Sequence, residues 1–293
     1  MSLKKRVSLT GFCLVGMIIL GTLVQQVALL AFPTIKDSVF FLLITNYLGM
    51  YGLGLPLFFT VLKKFPKSEL KASDEVSTKE WGTLILMGLG IMYLVNLVFG
   101  LLMSLISGGS GNVLGEMISG FKLWQVLLLV VLTAPVLEEL VFRKLLYQVA
   151  APLGDKGYII FSSILFGLYH MNISQSIYAF FLGVILSYLY VKTGNLKMSI
   201  LTHITINFIG SFIPMLMTSS AVMTTVFVVF VLLVMIIGLI TISKNKRAIK
   251  NYFRNEDDVA KFNWKEIFLN PGMVVFIIFC SVMIIVTFSM AFK

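Results

Sequence analysis

Several stretches of this chain run close to or beyond 20 predominantly apolar residues, the length that carries a helix across about 30 Å of hydrocarbon. Within such a stretch every backbone N–H and C=O must be satisfied inside the segment, which makes the helix the spanning form. The runs are continuous rather than alternating, which argues against a β-barrel. They fall at 7–32, 37–62, 81–106, 123–150, 157–171, 175–191, 198–217, 220–242 and 268–291. The expected fold is all-α, a polytopic transmembrane helical bundle of nine spans, or eight if one segment is re-entrant or 268–291 is peripheral. Composition agrees: 58% of the 293 residues are hydrophobic and 12% are charged, more apolar surface than one soluble core absorbs.

The net charge of +10 would suggest nucleic acid in a soluble protein. Here most Lys and Arg residues sit in short loops or near span ends, with no aromatic-interleaved basic stripe, so no nucleic-acid partner is expected. With nine crossings, 20 of the 23 basic residues share the side of Lys4, Lys5 and Arg6, with Arg143, Lys144 and Lys156 among them; Lys36, Lys122 and Lys293 take the other. That asymmetry predicts a multi-pass protein of the cell membrane with a cytoplasmic N-terminus and 107–120 outside. The basic start followed by an apolar run has features of a signal peptide. It reaches about residue 32 without a small-x-small cleavage site, so an uncleaved first span is expected. Cys13 and Cys280 lie in apolar segments and imply neither a disulfide framework nor a thiol metal site. The Gly-Gly-Ser-Gly-Asn run in 107–120 lacks the Lys-Ser/Thr of a phosphate loop and reads as a flexible outer loop. Segment 63–80 reads as a mixed-charge surface piece, and 243–265 as a basic linker against anionic headgroups. Three parts follow: N-terminal spans and the outer loop at 1–122, a catalytic core at 123–217, and C-terminal spans with the basic linker at 218–293.

Against this background Glu138 and Glu139 stand out, inside the apolar run 126–142. An ionisable group at membrane depth costs roughly 2.5–3.5 kcal/mol on insertion scales, and its default reading is a functional site facing the bundle interior. On a helix Glu139 and Arg143 are i,i+4 neighbours and form an ion pair, while Glu138 is rotated about 100° away and is free to face a cavity. A desolvated carboxylate there suits general-base work. Pro135, one turn earlier, removes a helical donor and opens a carbonyl.

Two further pairs share the i,i+4 spacing. Phe166 and His170 fall on one face, the ring as a wall and the imidazole reaching inward. His203 and Asn207 fall on another, an imidazole and a carboxamide able to donate to a developing oxyanion. Alone, His170 reads as an imidazole bonded to a backbone carbonyl, and His203 with Asn207 as an interhelical hydrogen-bond pair. Together, between Glu138 and Asn207, the three supply a base, a second base or orienting group, and donors, the inventory for activating water against a carbonyl.

This order of motifs, Glu138-Glu139-x-x-x-Arg143, Phe166-x-x-x-His170 and His203-x-x-x-Asn207, resembles the CPBP family of CAAX-protease and bacteriocin-processing intramembrane endopeptidases. The likeness covers about 124–212. It implies that Glu138 activates the attacking water with help from His170, that His203 and Asn207 stabilise the oxyanion, and that Glu139 and Arg143, with Phe166, support the site. Glu138, His170 and His203 also make a His₂Glu set for zinc. The lack of a His-Glu-x-x-His helix, and Asn207 as a poor zinc ligand, favour glutamate chemistry without a cofactor.

The resulting expectation is an intramembrane endopeptidase acting on a membrane-associated or small secreted peptide, with the lipid bilayer as surroundings. The Lys-rich chain favours peptide maturation or immunity over prenyl-protein processing. The rivals are a non-catalytic peptide-binding scaffold or bacteriocin immunity protein using the same pocket, and a proton-coupled transporter, which the lack of an inverted repeat weakens. Counting from span ends puts His203 about two turns closer to the cytoplasm than His170, so for the motifs to meet, the helix carrying His170 must start outside the bilayer or tilt.

Overall fold

A computed structural model describes residues 1–66, 68, 70, 74–106, 121–217, 220–254 and 263–290. The described residues are 90% helical, with no strand among them. In chain order the helices are α1 (Leu3–Ala31), α2 (Val39–Leu62), α3 (Thr78–Ile106), α4 (123–150), α5 (Gly154–Tyr169), α6 (Ile173–Thr193), α7 (Leu196–Met217), α8 (Ala221–Arg254), α9 (Trp264–Phe268) and α10 (Pro271–Met290).

Eight helical runs are long and apolar enough to cross a membrane among the described residues. The spans expected separately at 123–150 and 157–171 lie in one run, Leu123–Tyr169, of 47 residues. It is broken at the Ala151–Leu153 turn, where Pro152 withholds an N–H and Gly154 takes φ 69°, a left-handed conformation open to glycine. At 16 residues, α5 is about 24 Å long and falls short of a full crossing. The expected basic linker is also shorter than read: 243–254 continues α8, a helix of 34 residues, because nothing in that stretch caps or breaks it. The expected outer loop at 107–120 lies outside the described residues, as do 255–262 and parts of 63–80.

The outer surface is apolar. Leu30, Leu105 and Val222 stand exposed on three different helices, and Gly238 is the buried residue of α8. In water such a surface would aggregate, whereas acyl chains match it. The protein is a multi-pass membrane protein.

Inside, one apolar cluster ties α1, α2, α4, α5 and α10 together through residues such as Leu14, Phe58, Phe142, Phe161 and Phe276. A smaller one joins α3, α6 and α7 through Leu89, Leu186 and Ile206. α3 and α8 cross at Gly90 and Gly238, where a Cβ on Gly238 would stand 2.3 Å from Leu86 O. Polar ties fix α3 to its neighbours: Lys192 of α6 pairs with Glu80 at 2.6 Å, and Trp81 Nε1 donates to Thr202 of α7 at 2.7 Å. The three motif helices α4, α5 and α7 sit between these anchors.

Four turns among the described residues widen to the five-residue π register: Leu48–Leu53 in α2, Val126–Thr133 and Leu140–Leu145 in α4, and Phe208–Phe212 in α7. Such turns are uncommon and gather at functional sites. Here they hold or flank Tyr51, Glu138, Glu139, Arg143 and Asn207.

Candidate active site

Glu139 is the hub. It is fully buried, with Arg143 Nε 2.9 Å from Oε2, as the i,i+4 spacing predicts. It does more than pair with Arg143. Ser199 Oγ donates to Oε2 at 2.6 Å, and His203 Nδ1 lies 3.0 Å from Oε1. The carboxylate therefore ties α4 to α7 at two positions one helical turn apart. Arg143, expected on the basic side of the membrane, is instead wholly interior. Nη1 donates to Ser162 of α5 at 3.2 Å, and the guanidinium lies 4.7 Å over the Phe166 ring. A cation held by a carboxylate, a hydroxyl and a ring face is one that can stay buried. Lys156 is buried as well, beneath the Tyr252 ring.

The wide turn after Glu139 disturbs the normal backbone ladder, and side chains of α5 meet its carbonyls. Ser162 Oγ donates to Phe142 O at 2.8 Å, and the Tyr158 hydroxyl lies 3.1 Å from Phe142 O and 3.3 Å from Arg143 O. Tyr158, Ser162, Phe166 and His170 stand four residues apart and make one stripe of α5 along the site.

Phe166 brings the two histidines together. Its ring centroid lies 4.8 Å from that of His170 and 5.7 Å from that of His203, both edge-on. α5 is short and ends at Tyr169, with His170 its C-terminal cap. His170 Nδ1 lies 2.7 Å from Phe166 O. A carbonyl only accepts, so Nδ1 carries the proton and Nε2 keeps its lone pair. The next residue, Met171, has φ 51°, a strained conformation for a non-glycine. Thr287 Oγ1 of α10 lies 2.9 Å from Met171 O, so the last membrane helix pins the turn that carries His170.

Glu138 faces the other nitrogen of His203, with Oε2 3.8 Å from Nε2. Its Oε2 is buried without a hydrogen-bond partner among the described residues.

Asn207 is committed in part. Nδ2 donates to Val130 O at 3.0 Å. Ala134 N–H bonds Leu129 O, five residues back. In that register residue 135 would bond Val130 O, but residue 135 is proline and has no N–H. Asn207 supplies the missing donor. Its second amide hydrogen is left for other use.

The structure thus brings Glu138, Glu139, Arg143, Phe166, His170 and His203 around one core, with Asn207 at its edge. Sequence reading passed over Ser199, Ser162, Tyr158 and Thr287. Spacing carried a signal for three of them: Ser199 is four residues before His203, Ser162 four before Phe166, and Tyr158 four before Ser162. Thr287 carried none. Among the described residues no three His, Cys, Asp or Glu side chains stand close enough to hold a metal ion together.

Residues 120–209 match the model of a family described as Rce1-like, type II CAAX prenyl endopeptidase. This segment is thus similar to the CPBP, or CAAX-protease, family. The match takes in all three motifs and stops short of α1–α3 and α8–α10. No curated protein and no solved structure matches the chain. The family that this segment resembles is one of peptide hydrolases, and here the segment lies in a bundle built for lipid.

Proposed function

We propose that the chain is an intramembrane endopeptidase in which Glu138 activates a water molecule for attack on a peptide carbonyl. The observation that carries this reading is the Glu139–His203–Glu138 relay: His203 is held by Glu139 through Nδ1 at 3.0 Å and turns Nε2 toward Glu138 at 3.8 Å. In the proposed reaction Glu138 takes a proton from water as its oxygen bonds to the carbonyl carbon. The carbonyl oxygen becomes an oxyanion, and a protonated His203 Nε2–H and the second amide hydrogen of Asn207 stabilise it. Collapse breaks the C–N bond, and the proton on Glu138 passes to the leaving amine. His170, with its free Nε2, holds the water from the other side of Phe166. Glu139 and Arg143 orient His203 and take no part in bond making.

The substrate class is a peptide presented at the membrane, either small and secreted or anchored by lipid. The CPBP match supports peptide hydrolysis, and the buried acid among apolar helices supports a substrate that enters from the bilayer. The test uses the full chain in proteoliposomes with a farnesylated CAAX peptide and with a mixture of unmodified apolar peptides. Products are read by mass spectrometry for the native chain and for Glu138→Gln. Cleavage that Glu138→Gln abolishes is the expected result. Undiminished cleavage in Glu138→Gln defeats the mechanism.

A further inference from the structure

The donors named above are already partly engaged. His203 gives Nδ1 to Glu139, and Asn207 gives one amide hydrogen to Val130 O. A tetrahedral oxyanion in a dry site calls for well-placed donors, and the end of α5 offers one. Tyr169 ends α5, its ring edge-on to Phe142 at 5.1 Å, and Phe142 lies one helical turn beyond Glu138. Tyr169 is 7% exposed. Its hydroxyl is buried and makes no hydrogen bond among the described residues, and the same holds for Glu138 Oε2. A phenol that can donate and a carboxylate that can only accept, both buried and unpartnered on either side of a helical turn that ends at Phe142, suit a guest that accepts from one and donates to the other. A peptide carbonyl under attack by water is such a guest.

We propose that the Tyr169 hydroxyl donates a hydrogen bond to the carbonyl oxygen of the scissile peptide as it becomes an oxyanion. The assignment rests on the hydrolytic reading above. It makes Tyr169 a catalytic residue beside Phe142. Packing alone would also explain a buried tyrosine, but packing needs the ring and not the hydroxyl.

Tyr169→Phe separates the two. It keeps the ring on Phe142 and removes one oxygen. The native chain, Tyr169→Phe, Tyr178→Phe and Glu138→Gln are compared in proteoliposomes with the farnesylated CAAX peptide, alongside thermal unfolding in detergent. Expected is a fall in kcat of about 10²–10³-fold for Tyr169→Phe with KM and Tm close to native, and a small effect for Tyr178→Phe. Native kcat in Tyr169→Phe, with Glu138→Gln inactive, removes Tyr169 from the chemistry and leaves the hydrolytic reading standing. A loss in Tyr169→Phe matched by a raised KM and a lowered Tm makes it a packing residue and overturns the proposal. A native chain with no Glu138-dependent cleavage of this peptide overturns both.

Discussion

Glu139 Oε1 stands 3.0 Å from His203 Nδ1 while its Oε2 stands 2.9 Å from Arg143 Nε, so one buried carboxylate serves a cation on its own helix and an imidazole on another. Removing one member of a buried pair leaves the other uncompensated, at a cost of about 3–5 kcal/mol. Glu139→Gln should therefore lower stability by that order and abolish cleavage, whereas Glu138→Gln should abolish cleavage and leave stability near native. Pairing Glu139→Gln with Arg143→Leu should restore part of the stability and none of the activity. Unfolding in detergent and peptide cleavage, run on the same preparations, check this.

Asn207 and Pro135 form a second couple, linked through Val130 O. Asn207→Ala leaves that carbonyl unsatisfied and should cost about 1–3 kcal/mol. Pro135→Ala returns an N–H to the helix, so the same Asn207→Ala change made in that background should cost less. A double-mutant cycle should show a coupling of about 0.5–3 kcal/mol; independent, additive effects would disprove the link.

Ser199 presents the shortest polar contact to Glu139, 2.6 Å to Oε2. A hydrogen bond to a charged group is worth about 1.5–3 kcal/mol, and Ser199→Ala should lose that amount on unfolding. Ser199→Thr, which keeps the hydroxyl, should lose less. The pair is read by thermal melts.

Thr287 lies far outside the family match yet 2.9 Å from Met171 O, beside His170. Thr287→Val keeps the shape and removes the donor. Expected is a loss of about 1 kcal/mol in stability and a fall in kcat of about tenfold, because the turn bearing His170 loses its tie. Unchanged kcat would make α10 an accessory to the site.

Much of this was legible before any coordinates. Apolar run length gave helices at nearly every expected place, and i,i+4 spacing put Glu139 on Arg143, His170 on Phe166, and His203 with Asn207 along one helix. What spacing could not give was partnership across helices. Glu139 to Ser199 and Asn207 to Val130 depend on how α4 and α7 are rotated, and the wide turns alter that rotation. The segment expected as a separate span at 157–171 is the separate helix α5, but its 16 residues fall short of a full crossing, which hydropathy alone does not register. Tyr169 looked like any apolar-segment aromatic, since its role depends on a neighbour 31 positions away in the chain.

The wide turn Val126–Thr133 has a consequence for how this chain tolerates change in its length. A π turn is a helix carrying one residue beyond the ordinary count, and excising one residue while that wide register persists turns everything past it by one residue's rotation. Glu139 would then point where Glu138 now does. Single-residue deletions in this stretch should erase activity even where each excised side chain faces lipid, so spacing along the backbone is guarded as closely as the acid itself.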